Sequence, residues 1–266
     1  MPLAIGVFMI KEIMIDGAQI ACWVNDGGFI AGRKHLIFIH GSGGEHTLWE
    51  NQYKDLQGDF NIVAVNLPGH GLSGGKGEQD VMIYVEWVKK MISGLGISRP
   101  PVLIGHSLGA AISLTFAIHY GYLLSAIVPV GGGVTMPVNP ALLGQLKTDP
   151  DAVYAMIIKF AIAKGHRERV GPVIQEGLKK GDPVILHDDL YACDKLDVTE
   201  AVKKISIPVL VICGDDDKMT PPALSRYIAD NVPGGKLALI PGAGHFVMNE
   251  EPEVFNKVLR DFINSL

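Results

Sequence analysis

Residues 101–120 read PVLIGHSLGAAISLTFAIHY. Pro101 to Ile104 is a short apolar run of strand type, and Leu108 to Tyr120 is an apolar stretch long enough for a helix. Between them stands Gly105-His106-Ser107-Leu108-Gly109, of the form G-x-S-x-G. A strand that feeds a helix through so few residues turns sharply, and the serine at the apex takes a strained backbone. Side chains two residues either side would clash there, which is the physical need for Gly105 and Gly109. Such a turn raises a hydroxyl above the sheet edge, at the positive end of a helix. The competing reading is an ordinary glycine-rich turn in which Ser107 only caps the helix.

Outward from that turn the same rhythm repeats. Leu36–Ile39, Asn61–Val65, Ser125–Val130, Val209–Cys213 and Leu237–Ile240 read as further strands. Helices are predicted over Leu48–Leu56, along Val81, Val85, Val88 and Ile92, and from about Glu251 to the end. Strands apolar on both faces and separated by helices predict an α/β fold with a mostly parallel sheet flanked by helices. Upstream, Ile10–Ile15 and Ala18–Val24 around Asp16-Gly17 read as an N-terminal hairpin. Leu3–Ile10 reads as a first strand or the approach to one. No positive charge precedes it and Lys11-Glu12 follows directly, unlike a secretory leader. From Val134 to Lys204 no strand appears, only helical stretches broken by Pro137, Pro140, Pro150, Pro172 and Pro183. A structureless loop of that length is improbable, so a helical insertion is expected. The expected division is core over 1–133, helical cap over 134–204, and core again over 205–266.

Composition narrows the partners. The 266 residues are 48% hydrophobic and 19% charged, enough to bury a core. A net charge of −5 argues against nucleic acid. No apolar run approaches bilayer length, so no membrane span is expected. Cys22, Cys193 and Cys213 are odd in number and lack C-x-x-C spacing, which reads as reduced, buried thiols in a cytoplasmic protein.

A serine hydroxyl is a weak nucleophile and needs a base, itself oriented by an acid. His245, in Gly242-Ala243-Gly244-His245-Phe246 after the last strand, is the candidate base. The acid is sought between them in Asp215-Asp216-Asp217, after the Val209–Cys213 strand. Asp215 is still directed by the strand, and Asp216 points away if the loop is extended, which leaves Asp217. A divalent-cation site is the competing reading of this run, but no His or Cys cluster accompanies it. Acyl transfer also needs donors to a developing oxyanion. His40-Gly41-Ser42-Gly43-Gly44 offers backbone N–H groups free of bulky side chains, to be joined by that of Leu108. A phosphate loop is excluded, since neither G-x-x-x-x-G-K-[ST] nor G-x-G-x-x-G is present.

These blocks, with NLPGHGLSG at 66–74, GDDDKMTPP at 214–222 and PGAGHFVMNEEP at 241–252, arrive in an order that resembles serine hydrolases of the α/β-hydrolase superfamily. The resemblance runs nearly end to end. It implies Ser107 as nucleophile, His245 as base and Asp217 as acid. It also implies the Ser42 and Leu108 amides as oxyanion hole, and residues 134–204 as the cap. Asn66 stands where many relatives carry aspartate, and His70 and His106 read as structural neighbours. Ser107 excludes the relatives that use aspartate at the elbow. The expected activity is hydrolysis of a small or medium, largely apolar carboxylic ester, without cofactor or metal. Thioesters, lactones and the carbon–carbon bond of a ring-fission product are alternatives on the same triad. The last would need basic groups such as Lys147, Lys159, Arg167 or Arg169 aimed into the pocket. A slow, receptor-like ligand binder is the reading from another class. Part of the apolar set Val153, Tyr154, Met156, Ile157, Ile158, Phe160 and Ile162 is expected to line the pocket.

Overall fold

The computed structural model of the protein describes residues 9–266. The expected strand over Leu3–Ile10 falls outside them, except for its last two positions, which open β1. Asp16 and Gly17, at φ 49° and 82°, turn β1 (Met9–Ile15) onto β2 (Ala18–Val24). Positive φ at both central residues is what a tight hairpin demands of an Asp-Gly pair. β2 pairs antiparallel with β4 (Asn61–Val65). From β4 onward the sheet is parallel, through β3 (His35–Ile39), β5 (Val102–His106), β6 (Ala126–Val130), β7 (Leu210–Gly214) and β8 (Lys236–Ile240). The order across the sheet is β1-β2-β4-β3-β5-β6-β7-β8.

β3, β4, β5, β6 and β7 are buried at every residue, which is why they read as apolar runs without alternation. One core holds Tyr84, Leu114 and Ile228, from α2 (Val81–Gly94), α3 (Leu108–Tyr120) and α8 (Pro222–Asn231). The core on the other face holds Tyr53 from α1 (Glu50–Leu56) and Phe255 from α10 (Pro252–Asn264). Each such side chain contributes about 1.5–3 kcal/mol on burial. The chain runs from β3 outward to β4 on one side and returns to β5 on the other. That reversal opens a crevice beyond the carboxyl ends of β3 and β5, where ligands of such sheets bind.

Four helices stand between β6 and β7: α4 (Pro140–Leu146), α5 (Pro150–Ala161), α6 (Arg167–Lys180) and α7 (Pro183–Asp194). Pro140, Pro150 and Pro183 open their helices, where a missing N–H costs nothing. Pro172 corrects an expectation, because it lies inside α6 and does not break it. Its position is exposed, so water can take the carbonyl that the missing N–H leaves free. A further short helix, α9 (Val247–Glu250), precedes α10, and several strand ends shift by one residue from the expected bounds.

Candidate active site

Ser107 stands between β5 and α3 at φ 53°, ψ −111°, a strained conformation for a residue with a side chain. Its N–H donates to the Val130 carbonyl at 2.9 Å, tying the turn to β6. A Cβ on Gly105 would sit 1.9 Å from the Gly109 carbonyl oxygen, and one on Gly109 2.5 Å from that of Ile39. Both distances are far inside contact, so glycine is obligatory at the two positions. The loop after β3 closes on the same turn. A Cβ on Gly41 would lie 3.1 Å from the Ser107 Cβ and 2.7 Å from His106 Nδ1. Ser42 and Leu108 therefore flank the Ser107 turn, the first in that loop and the second at the first residue of α3. His40 braces the loop, since its Nδ1 donates to the Gly41 carbonyl at 2.8 Å while Nε2 accepts from the Leu67 N–H at 3.1 Å. Burial holds His40 and His106 well below the usual imidazole range, so both are neutral.

His245 follows β8 and is 4% exposed, and Asp217 follows β7 and is 3% exposed. His245 Nδ1 donates to Asp217 Oδ2 at 2.9 Å, which leaves Nε2 free to accept a proton. Asp217 Oδ1 accepts the N–H groups of Met219 and Thr220 at 2.9 Å, and Oδ2 the Thr220 hydroxyl at 2.9 Å. Burial alone would raise the Asp217 carboxyl; the His245 ring and the Thr220 donors more than offset it and hold the group below the usual range. The other two aspartates go elsewhere: Asp215 accepts the Gly242 N–H at 2.7 Å, and Asp216 pairs with Lys218 at 3.1 Å. What aims Asp217 is a turn at 215–216 and not the alternation of extended backbone. Ser107 and His245 face one pocket. Among the described residues no hydrogen bond joins the Ser107 hydroxyl to the ring, a contact that in such sites tightens when substrate binds.

Glu250 escaped the sequence reading. Its buried carboxylate accepts the N–H groups of Ala163 and Gly244 at 2.9 Å and of Phe246 at 3.1 Å, bracketing His245 on both sides. Desolvation raises its pKa, and the three backbone donors pull against that. A second carboxylate after the histidine, in Asn249-Glu250-Glu251-Pro252, was the available signal. Thr220 was also missed as a ligand of Asp217. Asn66 acts structurally, its Oδ1 accepting the His46 N–H at 2.8 Å.

The pocket encloses about 160 Å³. Of the apolar set expected to line it, only Ile157 does so. Val153, Tyr154 and Ile162 are packed in the core, and Met156 and Phe160 are exposed. The lining comes instead from Val173, Ile174 and Leu178 on α6 and Leu186 and Leu190 on α7, with Met219 and Phe246. No lysine or arginine is among the lining residues, whose charged members are Glu45 and Glu50. Arg167 and Arg169 are turned onto backbone carbonyls, at Ile162 and Asn249. Among the described residues no group of three or more His, Cys, Asp or Glu could hold a metal ion, and no helix is long and apolar enough to cross a membrane. The three cysteines are free and buried, their thiols pushed up to about 12 by desolvation.

The sequence profile of the alpha/beta hydrolase family matches residues 36–258, from β3 into α10. The chain belongs to the alpha/beta hydrolase family. It is 28% identical over 258 residues to the bifunctional esterase/perhydrolase DCH of Acinetobacter calcoaceticus, covering 86% of this chain and 91% of the relative. It is 24% identical over 251 residues to the pimeloyl-[acyl-carrier protein] methyl ester esterase of Neisseria meningitidis serogroup C, covering 88% and 94%. A solved thermophilic esterase superposes with a TM-score of 0.82 at 29% identity, over 97% of this chain and 98% of that one. This hydrolase thus shares its fold and nearly its full length with esterases.

Proposed function

We propose that this hydrolase is a serine carboxylesterase acting on a small or medium, largely apolar ester, with Ser107, His245 and Asp217 as its triad. The observation that carries the reading is the buried Asp217–His245 hydrogen bond of 2.9 Å, in the wall that also presents Ser107 on its strained turn. His245 Nε2 takes the Ser107 proton as Oγ attacks the ester carbon. The negative charge that forms on the carbonyl oxygen is received by the N–H groups of Ser42 and Leu108. The tetrahedral intermediate collapses to an acyl-serine, and the alcohol leaves with the proton from His245. Water, activated by the same ring, then releases the acid.

Residues 134–204 serve in this reading as a cap whose α6 and α7 close the pocket. A volume near 160 Å³ is about that of an engineered apolar cavity that takes up benzene, so roughly one six-carbon group fits. Val173 is 65% exposed at the rim, which leaves room for the rest of a longer substrate to extend outward. The acidic lining disfavours an anionic acyl group, which weighs against a ring-fission dienoate. Three buried free thiols suit a cytoplasmic location.

Three measurements test the proposal. Ser107→Ala should keep its fold and lower kcat by roughly 10⁴ or more. A fluorophosphonate should label the wild type and leave the variant untouched. Turnover across p-nitrophenyl esters, thioesters, lactones and dienoates should favour neutral short to medium esters. Labelling that survives Ser107→Ala refutes the nucleophile; stoichiometric binding without turnover of any arm returns the receptor reading.

A further inference from the structure

Asp189, on α7, is 0% exposed and does not line the pocket. A carboxylate so placed needs full compensation. It receives the His70 Nε2 at 2.8 Å, the Tyr84 hydroxyl at 2.5 Å and the Gly43 N–H at 2.8 Å. The other His70 nitrogen, Nδ1, faces the Pro68 carbonyl at 3.0 Å. Both ring nitrogens face oxygen atoms, an arrangement that favours the doubly protonated ring. Burial works against that charge, yet the Asp189 carboxylate raises the His70 pKa overall. The result is a buried ion pair that joins α7 to the loop following β4.

The third partner gives the pair a role. Gly43 lies in the loop that follows β3, and its N–H belongs to the peptide that begins at Ser42. The same face of α7 holds this loop at two further points. Leu186, one turn before Asp189, would meet a Gly43 Cβ at 3.1 Å, and Cys193, one turn after, has its Sγ 3.9 Å from the Ser42 hydroxyl. From the body of the fold, His40 holds Gly41. The loop is thus gripped from both sides, with Ser42 between the grips.

We propose that Asp189 is a positioning residue that aims the Ser42 amide at the developing oxyanion, so that transition-state stabilisation requires α7 to be seated on the core. The proposal rests on the esterase reading above, and on Ser42 as one of its two donors. A residue that merely held α7 down would affect stability alone. One that aims the loop affects kcat in molecules that remain folded.

The experiment uses the full chain, with active sites counted by fluorophosphonate titration at saturation. Asp189→Ala, which removes the acceptor where asparagine would keep an amide oxygen for Gly43, should lower kcat per active site roughly 10- to 100-fold, within the loss seen when an oxyanion donor is removed outright. KM should stay within about twofold, since substrate binding precedes the charge. Inhibition by phenylboronic acid, whose tetrahedral serine adduct carries an oxygen in the oxyanion hole, should weaken by the same factor as kcat/KM. The double variant Asp189→Leu/His70→Phe removes both charges together, which buried pairs often tolerate without loss of stability. It still leaves the Gly43 N–H and the Tyr84 hydroxyl without their acceptor, so it should melt below the wild type while remaining folded, and stay slow. Wild-type kcat per site in either folded variant, or boronate inhibition unchanged in the double variant, overturns the proposal. Ser107→Ala run alongside separates the two readings. If it retains turnover, the esterase site itself is wrong; if it is dead while the Asp189 variants are fully active, only the positioning role is lost.

Discussion

At the residue scale the aspartate run is the sharpest case. Three adjacent carboxylates have three fates: Asp215 caps the Gly242 amide, Asp216 meets Lys218 at the surface, and Asp217 is buried against His245. Replacing each by asparagine keeps size and removes charge. Asp217→Asn should cost on the order of 10⁴ in kcat, because the amide cannot hold the imidazole tautomer or stabilise the imidazolium. Asp216→Asn should be neutral, and Asp215→Asn should change stability slightly and activity little. Steady-state kinetics of the three purified variants is the check, and a crippled Asp216→Asn or Asp215→Asn beside an active Asp217→Asn contradicts the assignment. The triad order pointed to this run, and strand direction and the family resemblance to Asp217 within it. The structure buries Asp217 after the 215–216 turn, where the Thr220 hydroxyl and N–H both go to it.

At the element scale the inserted helices supply most of the pocket's apolar lining. α5 and α6 pack together, and residues on α6 and α7 face the Ser107 turn across the pocket. Leu178 is largely buried on α6, and its side chain reaches Gly43. Leu178→Trp should fill part of the space that the acyl group uses. The expected outcome is a fall of tenfold or more in kcat/KM for a hexanoate ester with little change for an acetate, since one to three kcal/mol is the usual worth of a few methylenes in such a pocket. Equal effects on both esters would mean that α6 does not bound the acyl site. These lining positions were not legible in the sequence. An amphipathic helix shows which residues are apolar, but α5 buries Val153 and Tyr154 in the core, and only Ile157 reaches the pocket. Which apolar stripe meets core and which meets cavity depends on how the helices lie across one another.

At the scale of the whole molecule, buried histidines set the pH response. His40 and His106 are held neutral by burial, so their folded values lie below the unfolded value of about 6.5. Below that pH the unfolded chain binds protons that the folded chain refuses, and stability falls as pH drops. His70 works in the opposite sense. Its folded value is raised, so its contribution is complete below about 6.5 and is lost as pH rises through the folded value. His35 is lowered by burial as well, so three against one gives a net loss on acidification. The melting temperature should therefore decline from pH 7 to pH 5, as measured by calorimetry. A melting temperature that rises over that interval would mean these rings are not buried neutral.

By itself the sequence determined the sheet, the hairpin, the sharp turn at Ser107 and the order of the blocks that carry Ser107, Asp217 and His245. Those features rest on local chemistry: apolar runs bounded by turns, an Asp-Gly pair, and glycines without which the chain collides with itself at 1.9 Å. Ser107 and His245 were legible because strand ends place them, and strand ends are written in short windows. The folded chain decided what Thr220, Glu250 and, above all, Asp189 do. Each is a polar residue whose meaning is its partner, and those of Asp189, His70, Tyr84 and Gly43, lie 119, 105 and 146 positions away. Nothing in the local sequence of α7 distinguishes Asp189 from its partly exposed neighbour Asp188, since full burial of a carboxylate depends on what the rest of the chain brings to it.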